Sequence, residues 1–276
     1  MRRVMEGRLG CALFGGVLAA FCAGTAFALP PDTKDPRAIM RAAFENRGGQ
    51  RGRSKMKMTI RDKAGTRERV MINKSLRFEA GRKSLILIEA PADVRGTGFL
   101  SIDYDKGERA DEQWLYLPRL RRTTRVPASG KSDSFVGSDF SYADLSQQDP
   151  EQFELKLIGE SSKVGDDDCW QIEVLPRTPR IAEENGYTKS HIWISKSKLI
   201  PLQFKAWTTT EGKTKYFKAT DVRQIDGLWT PHRMQMRTLK GSELESETII
   251  EVSEVANAAT DVSDDEFTQQ RLERGL

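Results

Sequence analysis

Two histidines, His191 and His232, are the side chains best suited to proton transfer near neutral pH. They lie far apart in the chain, and neither has a second His or Cys at metal-ligand spacing. Asp166, Asp167 and Asp168 follow Gly165 without the alternate-residue spacing of a calcium loop, so they read as a hairpin turn. Six serines lie between Ser129 and Ser146, none with an evident base beside it. Gly96-Thr97-Gly98 leads into a strand rather than a helix, and no G-x-S-x-G elbow is present. Cys169 stands beside Trp170 at the start of an apolar strand and reads as a buried small hydrophobe. The pattern predicts no catalytic centre, no metal site and no cofactor.

Residues whose spacing suits binding are more numerous. Met56 and Met58 share one strand face, and Met234 and Met236 share another. Methionine is flexible and polarizable, so such faces either fill a core or line a cavity for irregular chains. Phe99 pairs with Ser101 on one face, and Trp114 with Tyr116. A long polar segment, residues 127–150, carries Phe135, Phe140 and Tyr142. Segments that long inside a compact domain are usually functional or disordered, and apolar rings in a polar loop suggest a lid over an apolar cavity. Arg119, Arg121, Arg122 and Arg125 form a basic run across both strand faces. It is either a charged edge that prevents sheet-to-sheet association or a docking patch for an anionic headgroup or acidic partner.

The elements that position these residues are mainly β. One helix is expected from Asp35, a fair N-cap with Pro36 following, to about Arg47, where Gly48-Gly49 ends it. From Lys55 the period changes from 3.6 to 2. Alternating runs recur to Val255, punctuated by Ala64-Gly65, Gly212 and the hairpin signal Asp226-Gly227. Leu85-Ile86-Leu87-Ile88 is apolar on both faces. About eleven strands are expected, joined by short turns, as an antiparallel meander. A sheet of that size must curl or split. Ser263 and Glu266 form a capping box before a short C-terminal helix carrying Phe267 and Leu272.

The N-terminus reads as a secretory signal peptide over residues 1–28. Arg2, Arg3 and Arg8 precede the apolar run 9–21, and Ala26-Phe27-Ala28 is a small-x-small cleavage site. Cys22 follows Phe21, not the small residue that precedes a lipidated cysteine. Cleavage would leave Cys169 as the one cysteine, so no internal disulfide is expected and the exported domain, 29–276, would rely on its core. With 44 basic and 40 acidic residues the formal charge is +4, which carries no nucleic-acid signature.

The segment Trp114-Leu-Tyr-Leu-Pro118, the arginine run, and Ser134-Phe-Val-Gly-Ser-Asp-Phe-Ser-Tyr-Ala-Asp-Leu145 together resemble the outer membrane lipoprotein-sorting protein family, related to periplasmic carriers of the LolA and LolB type. The first helix, the meander, the Asp226-Gly-Leu-Trp-Thr-Pro231 hairpin and the Phe267 tail extend the likeness. The resemblance implies an unclosed β-barrel capped by helices, with an apolar cavity that carries lipid or lipoprotein acyl chains between membranes. It also implies transient membrane contact, an inner-membrane RND-type exporter and an outer-membrane acceptor as partners. The 127–150 insertion departs from the best-known carrier. A non-enzymatic adaptor with a filled core is the alternative reading.

Overall fold

The computed structural model describes residues 29–46, 48–105, 109–146 and 149–274. The signal-peptide reading, with Cys11 and Cys22, lies outside the described residues.

Helix α1 (Pro36–Glu45) begins where the Asp35 carboxylate accepts the Arg37 N–H at 2.9 Å, with Pro36 supplying a preset φ. Its stripe of Ile39, Met40, Ala43 and Phe44 is buried. It ends at Glu45 with Asn46 as its C-cap, close to the expected end near Arg47, and the Asn46 side-chain amide donates to the Lys198 carbonyl at 3.0 Å.

Among the described residues thirteen strands follow: β1 (Arg51–Asp62), β2 (Gly65–Phe78), β3 (Gly81–Ala90), β4 (Gly98–Tyr104), β5 (Glu112–Leu117), β6 (Arg122–Arg125), β7 (Phe153–Val164), β8 (Asp167–Pro176), β9 (Tyr187–Ser195), β10 (Pro201–Thr208), β11 (Lys213–Ile225), β12 (Leu228–Lys240) and β13 (Glu243–Ala256). The count exceeds the expected eleven by two. The Asp226-Gly227 hairpin joins β11 to β12 as the sequence suggests, with both residues at positive φ. Two short helices complete the fold, α2 (Pro179–Asn185) and α3 (Gln269–Arg274). The sequence reading passed over α2, although Thr178 caps it, Pro179 opens it and Gly186, at φ 78°, closes it.

The strands form one antiparallel sheet in the order β6-β5-β4-β3-β2-β1-β13-β12-β11-β10-β9-β8-β7. Its two edges, β6 and β7, are consecutive in the chain. The barrel is therefore unclosed, and residues 126–146 and 149–152 lie in the chain between its two edges. Cross-strand partners share a face. Ile172, Ile192, Phe204, Phe217, Met236, Thr248 and Ile60 thus lie on one inner face. Trp170, Ile172 and Ile194 on β8 and β9 form one buried cluster with Ile39, Met40 and Phe44 of helix α1. Phe135, Phe140 and Tyr142, from the segment after β6, pack on another part of this face.

The curl follows from contacts. Phe99 on β4 meets Phe135 at 5.7 Å between ring centroids, and Phe217 on β11 meets Phe140 at 6.4 Å. Six strand spacings separate β4 from β11, about 29 Å in a flat sheet. Two rings five residues apart bridge that gap only because the sheet bends round them. On the opposite face, Leu85, Leu87 and Leu100 pack with Val262, Phe267 and Leu272. The run Leu85–Ile88 is thereby buried on both sides. The capping box at Ser263 and Glu266 forms, but it caps a single 3-10 turn, and α3 begins three residues later at Gln269.

Candidate functional site

The inner face between β4 and β11 is an apolar surface made by Met58, Ile60, Met71, Ile86, Ile88, Phe99, Met236 and Ile250, with Met56 and Met234 half-buried at its margin. All four methionines singled out in the sequence converge here. Phe135, Phe140 and Tyr142 from the long segment join the same cluster. Phe99, Phe135 and Tyr142 form a triad of rings with centroids 5.3–5.8 Å apart. The expected lid is therefore a plug: its rings are buried against the floor rather than lying over an open cavity, and backbone hydrogen bonds such as Phe135 N–H to the Phe140 carbonyl (2.8 Å) and Tyr142 N–H to the Asp133 carbonyl (3.1 Å) close the loop on itself.

Trp114 and Tyr116 do not belong to this surface. Register decides it: Phe99 lies opposite Leu115, so Trp114 and Tyr116 point with Leu100 to the other face and pack near Phe267 and Leu272. Period-two alternation groups Trp114 with Tyr116 but cannot say which face they share with β4. The approach of α3 on that side requires Gly98, where a Cβ would stand 2.5 Å from a Leu272 methyl carbon.

The plug is held by polar groups that the sequence reading did not single out. Asp139, buried between the two phenylalanines, accepts hydrogen bonds from the hydroxyls of Thr238 (2.5 Å), Ser246 and Thr248 (2.6 Å). Its N–H donates to Thr248 Oγ1 at 2.9 Å, and the Lys215 ammonium donates to its carbonyl at 2.6 Å. A buried carboxylate is costly unless so satisfied. Five residues on, Asp144 accepts the Tyr187 hydroxyl at 2.8 Å and the Ser141 N–H at 2.8 Å. Burial, and then the Asp144 charge, push the Tyr187 phenol well above its ordinary value, so it stays protonated and donating. The Gln113 amide donates to the Tyr142 carbonyl at 3.3 Å and to Ser146. Between Phe135 and Gly137, Val136 adopts φ 45°, a left-handed conformation that is unfavourable for a β-branched residue. The latch and ring burial hold that strain. A clue was present in the sequence: Thr238, Ser246 and Thr248 put hydroxyls where the alternation of β12 and β13 calls for inward apolar side chains.

Beside the latch a polar cleft of about 740 Å³ opens, lined by residues including Asp62, Ser132, Tyr187, Thr209, Lys215 and Ser246. Its position follows from the ladders. The turns 62–65, 208–213 and 240–243 all lie at the end of the sheet where β5 finishes. Arg119, Arg121, Arg122 and Arg125 are exposed at that same end and along edge strand β6.

The residues first considered for chemistry are scattered. His191 Nε2 lies 3.2 Å from Glu173 and the ring lies 5.1 Å from that of Trp207, while His232 Nδ1 lies 3.1 Å from the Thr230 carbonyl. Asp167 is held by Lys198 (2.5 Å) and Ser195 (2.9 Å). Burial raises the carboxyl of Asp167, but these bonds outweigh it and leave the group below the ordinary carboxylate range. Cys169 is buried, and its thiol is pushed up to about 11. Among the described residues no group of three or more His, Cys, Asp or Glu side chains converges to hold a metal ion, and no helix is long and apolar enough to cross a membrane.

The sheet is an open antiparallel half-barrel wrapped around a helix. Three solved structures share it. A candidate outer membrane lipoprotein-sorting protein domain from Vibrio parahaemolyticus is 28% identical, with a TM-score of 0.76, over 87% of this chain and 98% of that one. A DUF1329 family protein from Desulfovibrio piger is 27% identical, with a TM-score of 0.76, over 86% and 97%. A LolA superfamily protein from Nitrosomonas europaea shares the fold at 18% identity and a TM-score of 0.62, over 87% and 99%. Residues 80–274 match a family model described as "Uncharacterized protein", and the chain belongs to that family. No curated protein matches the chain by sequence.

Proposed function

We propose that this protein is a non-enzymatic periplasmic carrier of lipid or lipoprotein acyl chains, exported by a signal peptide cleaved near Ala28. The observation that carries the reading is the apolar inner face with a segment of its own chain inserted where cargo would lie. Met56, Met58, Phe99, Met234 and Met236 form the floor, and Phe135, Phe140 and Tyr142 leave it when cargo enters.

Magnitudes set the kind of cargo. Each ring buries about 200 Å², so the three together contribute on the order of 15 kcal/mol. A single chain of about fourteen carbons gains roughly 11 kcal/mol at 0.8 kcal/mol per CH₂. One such chain does not displace the plug. Two or three chains, or a polycyclic lipid of about thirty carbons, do so.

The test is native mass spectrometry of the protein purified from the periplasm, with organic extraction of whatever accompanies it. A stoichiometric lipid of two or more chains, or a polycyclic one, is expected. A lipid-free mass that does not change after incubation with vesicles and lipopeptides would refute the carrier role. It would favour the second reading, an adaptor for an RND-type exporter, which the filled inner face of this structure supports.

A further inference from the structure

The β5–β6 corner carries an unusual combination. Leu120 is 67% exposed at the tip of the 3-10 turn Pro118–Leu120. Arg119, Arg121 and Arg122 flank it and Arg125 follows at the far end of β6, all exposed, and none makes an ion pair or side-chain hydrogen bond among the described residues. The turn that carries Gly96 lies against this one, a Cβ on Gly96 standing 3.3 Å from the Pro118 ring, and it adds Arg95, exposed and without an ion pair or side-chain hydrogen bond among the described residues. Elsewhere many cations are paired, as Lys213 is with Glu245 and Arg233 with Glu251. Asp93 on the same turn and Glu273 on α3 are the acidic residues beside the group, and Glu273 already accepts the Thr123 hydroxyl at 2.7 Å.

We propose that this corner docks the protein onto an anionic bilayer, with Leu120 entering the headgroup layer and Arg95, Arg119, Arg121, Arg122 and Arg125 binding lipid phosphates. The distribution of charge selects a bilayer over an acidic protein. Along β6 the side chains alternate between faces. Arg125 lies opposite Trp114 on the α3 side, whereas Arg122 lies opposite Leu117 on the inner side. A protein partner would meet one face. A membrane meets the corner end-on, where arginines of both faces reach it and an apolar tip has somewhere to go. Docking this way also turns the cleft and plug end of the sheet toward the lipid, and a second exposed leucine, Leu244, lies at that end. The inference goes beyond the carrier reading and does not depend on it.

The experiment is flotation of the purified protein with phosphatidylethanolamine vesicles containing roughly 30 mol% phosphatidylglycerol, against phosphatidylcholine vesicles, at about 0.05 and 0.5 M salt. Binding to the anionic vesicles alone, released by salt, is expected. Each arginine near the surface is worth about fivefold, so Arg119→Gln/Arg122→Gln/Arg125→Gln should weaken binding on the order of a hundredfold. Leu120→Ser should weaken it about tenfold and leave the salt dependence intact. All of these side chains are exposed, so an unchanged melting temperature confirms folding. Equal binding to both vesicle types, a triple variant that floats like the wild type, or retention by polyglutamate in preference to vesicles would overturn the proposal. Vesicle binding without lipid uptake would leave it standing while removing the carrier role.

Discussion

Replacing Asp139 with alanine should release the plug without unfolding the sheet. In the closed state the substitution leaves the hydroxyls of Thr238, Ser246 and Thr248 without their acceptor. Thr238 and Thr248 are buried, whereas Ser246 is half-buried and recovers part of its bond from water. At about 1–3 kcal/mol for each buried group left unsatisfied, the closed state loses about 3–5 kcal/mol. Opening hydrates all three hydroxyls, so the penalty falls on the closed form alone. The open population should therefore rise by between about a hundredfold and a few thousandfold. Hydrogen exchange reads this directly. The amides of Phe135, Ser138, Tyr142 and Ala143 bond within the loop at 2.7–3.1 Å, so their exchange reports opening. They should accelerate by that factor while amides of β3 stay protected. Unchanged loop exchange would refute the latch. Equal acceleration in β3 would show that loop and sheet open as one unit and that no separate plug exists.

Other consequences are simpler to check. With its thiol at about 11 and no exposure, Cys169 should resist alkylation at pH 8 in the native protein and react fully in denaturant. Asp167 sits below the ordinary carboxylate range in the folded state, so its contribution is complete above about pH 4 and is lost as pH falls from there through the folded value. Asp167→Asn should flatten that part of the acid limb in a melting-temperature profile. Leu272→Ala, at a fully buried position between α3 and Gly98, should cost about 2–5 kcal/mol in denaturant titrations.

Much of the frame was legible because it rests on local rules. Asp35 and Pro36 start α1, Asp226-Gly227 turns a hairpin, and alternation marks each strand. The four methionines converge because β1, β13, β12 are neighbours, a fact of topology that alternation only permits. What escaped the sequence depends on register and on long-range partners. A one-residue difference in the β4–β5 pairing would have placed Trp114 and Tyr116 beside Phe99. Asp139 reads as an ordinary polar loop residue until three hydroxyls about a hundred residues away close around it. The loop rings were recognised as apolar, but whether they cover a space or fill it is decided by how far the sheet curls, which no local pattern encodes.

The central claim is that acyl chains take the place of the plug on the inner face. The most direct test uses a two-chain lipid bearing a diazirine near one chain end, photolysed with the purified protein and mapped by peptide mass spectrometry. Crosslinks are expected in peptides containing Met56–Met58, Phe99 and Met234–Met236, and should increase in Asp139→Ala. Crosslinks confined to the Trp114 and α3 face, or none at the inner face in either protein, would contradict the account.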